Sequence, residues 1–193
     1  VVLALCDAAL RRYLGEQGQA PHKPLVAMIP INLRAPGSKA EGNQVASLQV
    51  KLGGEGEGPA DRLRTVKESM RAARALYTGI PAAATQAYSL FAAGLGAVGM
   101  SLKLEGIMPP PLNLIISNVP GPRETRYFHG AELLASWPVS GIAPMTALNV
   151  TVYSYAGDLY FGLISARRTI PHLQDLKLCI DEVYEEFQQA IVA

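Results

Sequence analysis

The sequence predicts an α/β domain in which helices pack on a mixed sheet. Three observations point there. Short apolar runs, such as Leu114 to Ile116 ahead of Pro120, have the length and composition of strands covered by other layers. Between Asp61 and Tyr77 the apolar residues Leu63, Val66, Met70, Ala73 and Tyr77 recur at three and four, the period of a helix with one buried face. Two segments, Ala147 to Tyr155 and Leu159 to Ile164, are rich in valine, tyrosine and phenylalanine and meet at Gly157-Asp158, which reads as a hairpin.

The chain has 193 residues, enough for one sizeable domain or for one half of a larger enzyme. Residues 1–193 read as a single domain without internal repeats. Lysine and arginine total 17 against 16 acids, so no global field favours nucleic acid or an anionic membrane. Cys6 and Cys179 lack metal or redox spacing and read as buried thiols of a reduced, cytoplasmic protein. The opening Val-Val-Leu-Ala-Leu-Cys-Asp has no signal-peptide pattern and reads as the middle of a helix, so the chain is expected to begin inside a longer polypeptide.

In order along the chain, Val2, Leu5, Cys6, Ala9, Leu10 and Tyr13 predict a first helix, with Asp7 and Arg11 spaced for an ion pair. Gly15 and Gly18 end it. Pro24 to Asn32 is continuously apolar and predicts a strand covered on both faces, its end marked by Pro30. In Gln44 to Leu52 apolar and polar residues alternate, predicting one core face and one wetter face. Gly-Gly-Glu-Gly-Glu-Gly at 53–58 reads as a flexible loop, because Glu55 and Glu57 repel a phosphate. On the helix that follows, Arg62, Arg64, Lys67, Arg71 and Arg74 are read as a solvated face. Ile80 to Met100 carries no charge, but its alanines and glycines argue against a membrane span. A buried helix or helix pair is expected there, with Leu90, Phe91 and Leu95 as a surface for lipid.

The organising stretch is Asn113 to Pro122, Asn-Leu-Ile-Ile-Ser-Asn-Val-Pro-Gly-Pro. Pro120 has no N–H for a ladder and stops the strand, while Gly121 is free to take a positive φ. The corner holds Ser117 and Asn118 at a strand end. After it come an alternating segment around Gly130, the hairpin, and a last helix begun by Thr169, Ile170 and Pro171 with the stripe Leu173, Leu176, Ile180, Val183, Phe187 and Ile191.

Chemistry for group transfer is sparse. His22, His129 and His172 each stand alone and read as structural or solvated. No His, Cys, Asp or Glu group has metal-ligand spacing, and there is no Gly-x-Ser-x-Gly elbow.

Asn118-Val119-Pro120 within Ile-Ser-Asn-Val-Pro-Gly-Pro, then Trp137-Pro138-Val139-Ser140, then Ala147 to Tyr155, then Leu159 to Leu163 resemble, in that order, the C-terminal half of the bacterial wax ester synthase/acyl-CoA:diacylglycerol acyltransferase family. The resemblance implies the C-terminal half of a chloramphenicol acetyltransferase-like fold. It implies an acyl-CoA-dependent O-acyltransferase making triacylglycerol or wax ester, with acyl-CoA as substrate and no cofactor. The family's catalytic His-His-x-x-x-Asp-Gly lies in the N-terminal half and is absent from these residues, so the chain alone is expected to be inactive. Its partners would be that catalytic half, in cis or as a cleaved chain, acyl-CoA, and diacylglycerol or a long-chain alcohol, with peripheral contact at a membrane or lipid droplet.

On this resemblance Ser117, Asn118, Val119 and Pro120 line one wall of a substrate tunnel. Val139 to Asn149 faces the acceptor, with Asn149 and Met145 among the substrate-binding residues. Arg34 and Asn43, matching a pattern of CoA-dependent acyltransferases, brace a strand crossover. The family often has Asp-Gly where Pro144-Met145-Thr146 stands, so Met145 is expected to shorten or redirect the acceptor channel. Other roles stay open: Arg34 as a surface residue and Asn43 as a turn residue, Asn118 capping the turn through its own side chain, Asn149 making a strand-end hydrogen bond. Open too are a non-catalytic lipid-binding or scaffold module and a relative that acylates amines or polyketide alcohols. Separation from the other half is expected to bare an apolar patch of more than about 600 Å².

Overall fold

The structure is a computed structural model that describes residues 1–32, 45–77, 79–80, 84, 87, 112–142 and 146–192. Arg34, Asn43, Met145 and nearly all of the uncharged stretch 80–100 lie outside the described residues. In chain order the elements are α1 (Val2–Glu16), β1 (Val26–Asn32), β2 (Val45–Lys51), α2 (Pro59–Ala75), β3 (Leu114–Pro120), β4 (Tyr127–Phe128), β5 (Ala131–Glu132), β6 (Leu148–Tyr155), β7 (Asp158–Ser165) and α3 (Leu173–Val192).

Five strands form one mixed sheet in the order β2-β1-β3-β6-β7. The central strands β1, β3 and β6 run parallel, and β2 and β7 flank them antiparallel. β3 and β6 pair over their whole length, from Leu114 opposite Leu148 to Pro120 opposite Ser154. β1 and β3 pair only at Ala27–Leu114 and Met28–Ile115. Beyond Ile115 no described β1 residue stands in register with β3.

Strand side chains alternate between faces, and here one face carries the core. Ala27, Ile29, Leu48, Val50, Leu114, Ile116, Leu148, Val150 and Val152 pack against Leu5, Ala9 and Tyr13 of α1, Val66 and Ala73 of α2, and Leu176, Val183 and Phe187 of α3. Each large aliphatic side chain buried this way contributes roughly 1.5–3 kcal/mol. The three described helices thus sit on one side of the sheet. On the other face Met28 and Pro30 are only half-buried, so the expectation that β1 is covered on both faces is met on the helix side alone.

A buried ion-pair group ties α1 to α2. Asp7 is fully buried and accepts hydrogen bonds from Arg62, on α2, and from Arg11 Nε at 3.3 Å. Arg11 also binds the Gly53 carbonyl at 2.6 Å, and Arg62 binds those of Gly54 and Glu57 at 3.3 and 2.8 Å. Arg62 is therefore not part of a solvated face, and the glycine-rich loop is held by its carbonyls. Gly53 is required for space, since a Cβ would stand 2.6–2.7 Å from Arg62 and Asp7.

Two boundaries and one backbone conformation differ from the sequence reading. The hairpin turn uses Ala156 (φ 50°) and Gly157 (φ 99°), with Tyr155 opposite Asp158, so Asp158 belongs to β7. The last helix begins at Leu173, after a turn in which Asp175 N–H meets the His172 carbonyl at 3.0 Å. Gly121 does not have a positive φ. It is glycine because a Cβ would overlap the Ser154 carbonyl oxygen and press on the Tyr153 ring.

Candidate functional site

In parallel sheets the carboxyl ends of the strands are where ligands collect, especially where neighbouring strands part. Here the carboxyl ends of β1, β3 and β6 share one edge, and β1 stops pairing with β3 partway along it. Ser117 to Pro120 occupy that edge. Ser117 is half-buried, and Asn118, Val119 and Pro120 are exposed.

Alternation sends these side chains in two directions. Ser117 and Val119 share a face with Thr151 and Tyr153 of β6, while Asn118 shares the helix-side face with Val152. The chain turns after Pro120 without help from Asn118. Gly121 N–H donates to Ser154 Oγ at 3.1 Å, and Ala156 N–H donates to the Pro122 carbonyl at 3.0 Å. Capping by Asn118 is thus not what holds the corner, and among the described residues neither Ser117 nor Asn118 uses its side chain in a hydrogen bond. Just beyond lies a shallow cavity of about 360 Å³ lined by Gly121, Arg123, Ser154 and Asp158, among others.

Asn149 is elsewhere. It pairs with Ile115, three positions back along β6 from the residue opposite Asn118, or about 10 Å at ~3.3 Å per residue. It is 6% exposed and already engaged: its Nδ2 donates to the Gly141 carbonyl at 2.7 Å, and its Oδ1 accepts from Thr151 Oγ1 at 3.1 Å. Thr151 Oγ1 also meets Ser140 Oγ at 2.6 Å. Ser140 lies within the stretch 139–149 expected to face the acceptor, whereas Thr151 is a residue the sequence reading does not single out. The signal for Thr151 was its place in Asn149-Val150-Thr151-Val152, where polar residues alternate with valines and so must share one face.

That face is crossed by an extended strap, residues 133–141, leading out of the β4–β5 hairpin. His129 (φ 48°) and Gly130 (φ 84°) form the tip of the hairpin. The buried Tyr155 donates its hydroxyl to the Leu133 carbonyl at 2.7 Å and accepts the Arg126 N–H at 2.8 Å. Tyr160 reaches the Leu134 carbonyl at 3.4 Å and meets the Trp137 ring edge to face at 5.7 Å. Pro138 lies flat on Gly162, where any Cβ would overlap its carbonyl oxygen. Outward, Leu134, Trp137 and Val139 are 78%, 68% and 87% exposed.

None of β3's edge residues Ser117 to Pro120 is a histidine. His22 is exposed beside Glu55 at 3.6 Å, His129 is in the hairpin tip, and His172 is exposed before α3. Among the described residues no three His, Cys, Asp or Glu side chains converge as metal ligands, and no described helix is long and apolar enough to cross a membrane. Burial pushes the Cys6 thiol up to about 12, so it is no nucleophile. Burial also raises the Asp7 carboxyl above its usual range, with Arg62 and Arg11 pulling it partly back.

Residues 41–188 match the WS/DGAT C-terminal domain family. The chain belongs to this family. WS/DGAT membership rests equally on individual relatives. O-acyltransferase WSD of Acinetobacter baylyi is 35% identical over 193 residues, spanning 99% of this chain and 41% of that protein. A Mycobacterium tuberculosis protein that carries the name diacylglycerol O-acyltransferase is 38% identical over 191 residues, spanning 99% and 43%. The wax ester synthase/diacylglycerol acyltransferase from Marinobacter aquaeolei VT8 superposes with a TM-score of 0.81 at 32% identity, over 98% of this chain and 42% of that one. The first condensation domain of the CDA synthetase, at 14% identity, TM-score 0.52 and coverage of 94% and 39%, shares the fold alone. This WS/DGAT chain spans about two-fifths of the length of the relatives it matches.

Proposed function

We propose that the chain is the C-terminal part of an acyl-CoA-dependent O-acyltransferase that forms triacylglycerol or wax ester, and that it supplies one wall of the substrate tunnel while the general base comes from the N-terminal part. The observation that carries this reading is the β3 corner: Ser117 and Asn118, polar and without hydrogen-bond partners among the described residues, stand at the parting edge of parallel strands in a WS/DGAT domain. Such groups are free to meet a thioester, a hydroxyl or an amide of the substrates. Acyl transfer to an alcohol needs a base near the hydroxyl, and each histidine of this chain stands alone in the sequence, with none in a His-His-x-x-x-Asp-Gly segment. Acyl-CoA is a substrate in this scheme and no cofactor is required. The acceptor is diacylglycerol or a long-chain alcohol, met by an otherwise cytoplasmic protein in peripheral contact with a membrane or lipid droplet.

Of the residues expected to bind substrate, Ser117, Asn118, Val119 and Pro120 remain at the corner. Asn149 acts at one remove, through its bond to Gly141. Arg34, Asn43 and Met145 keep the roles the family resemblance implies, as crossover braces and as a determinant of acceptor length. The test is Asn118→Ala in the full-length parent protein, assayed with acyl-CoA and either diacylglycerol or hexadecanol. A fall in kcat/KM of about tenfold or more is expected, the loss of one polar contact to the reacting system. Turnover within about twofold of the parent enzyme overturns the corner's role.

A further inference from the structure

Four polar groups on the strap side of the sheet form a closed circuit. Thr151 Oγ1 has one proton, and it goes to Asn149 Oδ1 at 3.1 Å; Ser140 must therefore donate to Thr151 at 2.6 Å. Asn149 then donates from Nδ2 to the carbonyl of Gly141 at 2.7 Å, next in sequence to Ser140. The circuit leaves the strap at one residue and returns at the next. Asn149 and Thr151 are 6% and 4% exposed, among only four buried polar or charged side chains in the described residues. Circuits of this kind strengthen their members mutually and are costly when broken, since each orphaned group stays out of water.

What the circuit holds is the segment that displays Trp137 and Val139. Around it Gly162 has no side chain, which lets Pro138 lie against β7. Thr151 also pairs in register with Ser117, the first residue of the open corner. The strap and the corner therefore share a single anchor on β6.

We propose that Thr151 is a positioning residue: without touching substrate, it locks Ser140 and Gly141 to β6 and so fixes the strap's outward apolar side chains relative to the β3 corner. As a statement about turnover this rests on the acyltransferase reading above. As a statement about the strap it stands alone, and the experiment separates the two.

In the full-length parent protein, Thr151→Val removes the hydroxyl at nearly constant volume, and Thr151→Ser keeps it. Each is labelled with 5-fluorotryptophan, with the Trp137 resonance assigned from Trp137→Phe. Thr151→Val is expected to shift or split the Trp137 resonance, and Thr151→Ser to leave it in place. With acyl-CoA and hexadecanol, Thr151→Val is expected to raise the KM for the alcohol about five- to tenfold at nearly unchanged kcat, the signature of lost uniform binding, and Thr151→Ser to restore it. If Thr151→Val does not fold, Ser140→Ala, which removes the donor from the strap side, takes its place in both measurements. An unmoved Trp137 resonance overturns the lock. A moved resonance with unchanged KM overturns the positioning role. A parent protein that transfers no acyl group overturns the acyltransferase reading, while the fluorine spectrum still decides the lock.

Discussion

A carboxylate taken wholly out of water, as at Asp7, is tolerated only where opposite charge meets it, and here two guanidiniums do. The net upward push on its carboxyl, burial first and Arg62 second, shows that the two arginines do not fully offset desolvation. Removing one member of such a group is worse than removing the group. Asp7→Asn leaves Arg62 buried with no anionic partner and is expected to cost about 3–5 kcal/mol in urea unfolding. The double change Asp7→Leu with Arg62→Met is expected to recover most of that loss. By contrast Arg12, bridging the exposed Glu182 and Glu186, is a surface pair worth at most about 1 kcal/mol. The sequence showed the spacing of Asp7 and Arg11 but not their burial. Arg62 was illegible because an arginine between helical stripe positions looks solvated until a partner 55 residues away is known.

At the scale of elements, periodicity carries further. α1, α2, α3 and the β6–β7 hairpin lie where the apolar patterns of 3.6 and 2 put them, because each element must turn its apolar side to one core. What periodicity does not carry is the reason for a glycine. Gly121 reads in the sequence as freedom of φ, yet it and Gly162 are there for close approach, by the Ser154 carbonyl and the Pro138 carbonyl. The strap 133–141 was legible only as a phrase, Trp-Pro-Val-Ser, since it has no ladder and is held by side chains from two strands. Gly162→Ala tests this directly. The new methyl meets backbone and not a flexible side chain, so the strap must lift, and a loss of about 1–3 kcal/mol is expected in thermal or urea unfolding. Ala in place of Gly157 is not an equivalent control, because φ there is 99°.

For the whole molecule, the asymmetry of the sheet is the leading fact. Among the described residues, one face is closed by three helices and the other carries a strap whose Leu134, Trp137 and Val139 are exposed. Exposed apolar side chains gathered on one segment mark a surface that something else covers. The chain spans about two-fifths of its relatives' length, and in those relatives the remainder is large enough to do so. Trp137 is the sole tryptophan of the chain, which makes the argument measurable. Under brief hydroxyl-radical labelling read by peptide mass spectrometry, Trp137 and Leu134 are expected to oxidise about fivefold less in the full-length parent than in this chain alone, in proportion to the area covered. Leu178 and Tyr184, exposed on the outer side of α3, serve as the internal standard. Equal oxidation of Trp137 in both forms would show that the strap faces solvent or lipid in the whole enzyme. The tunnel wall proposed above would then rest on the corner side alone, through Ser117 to Pro120.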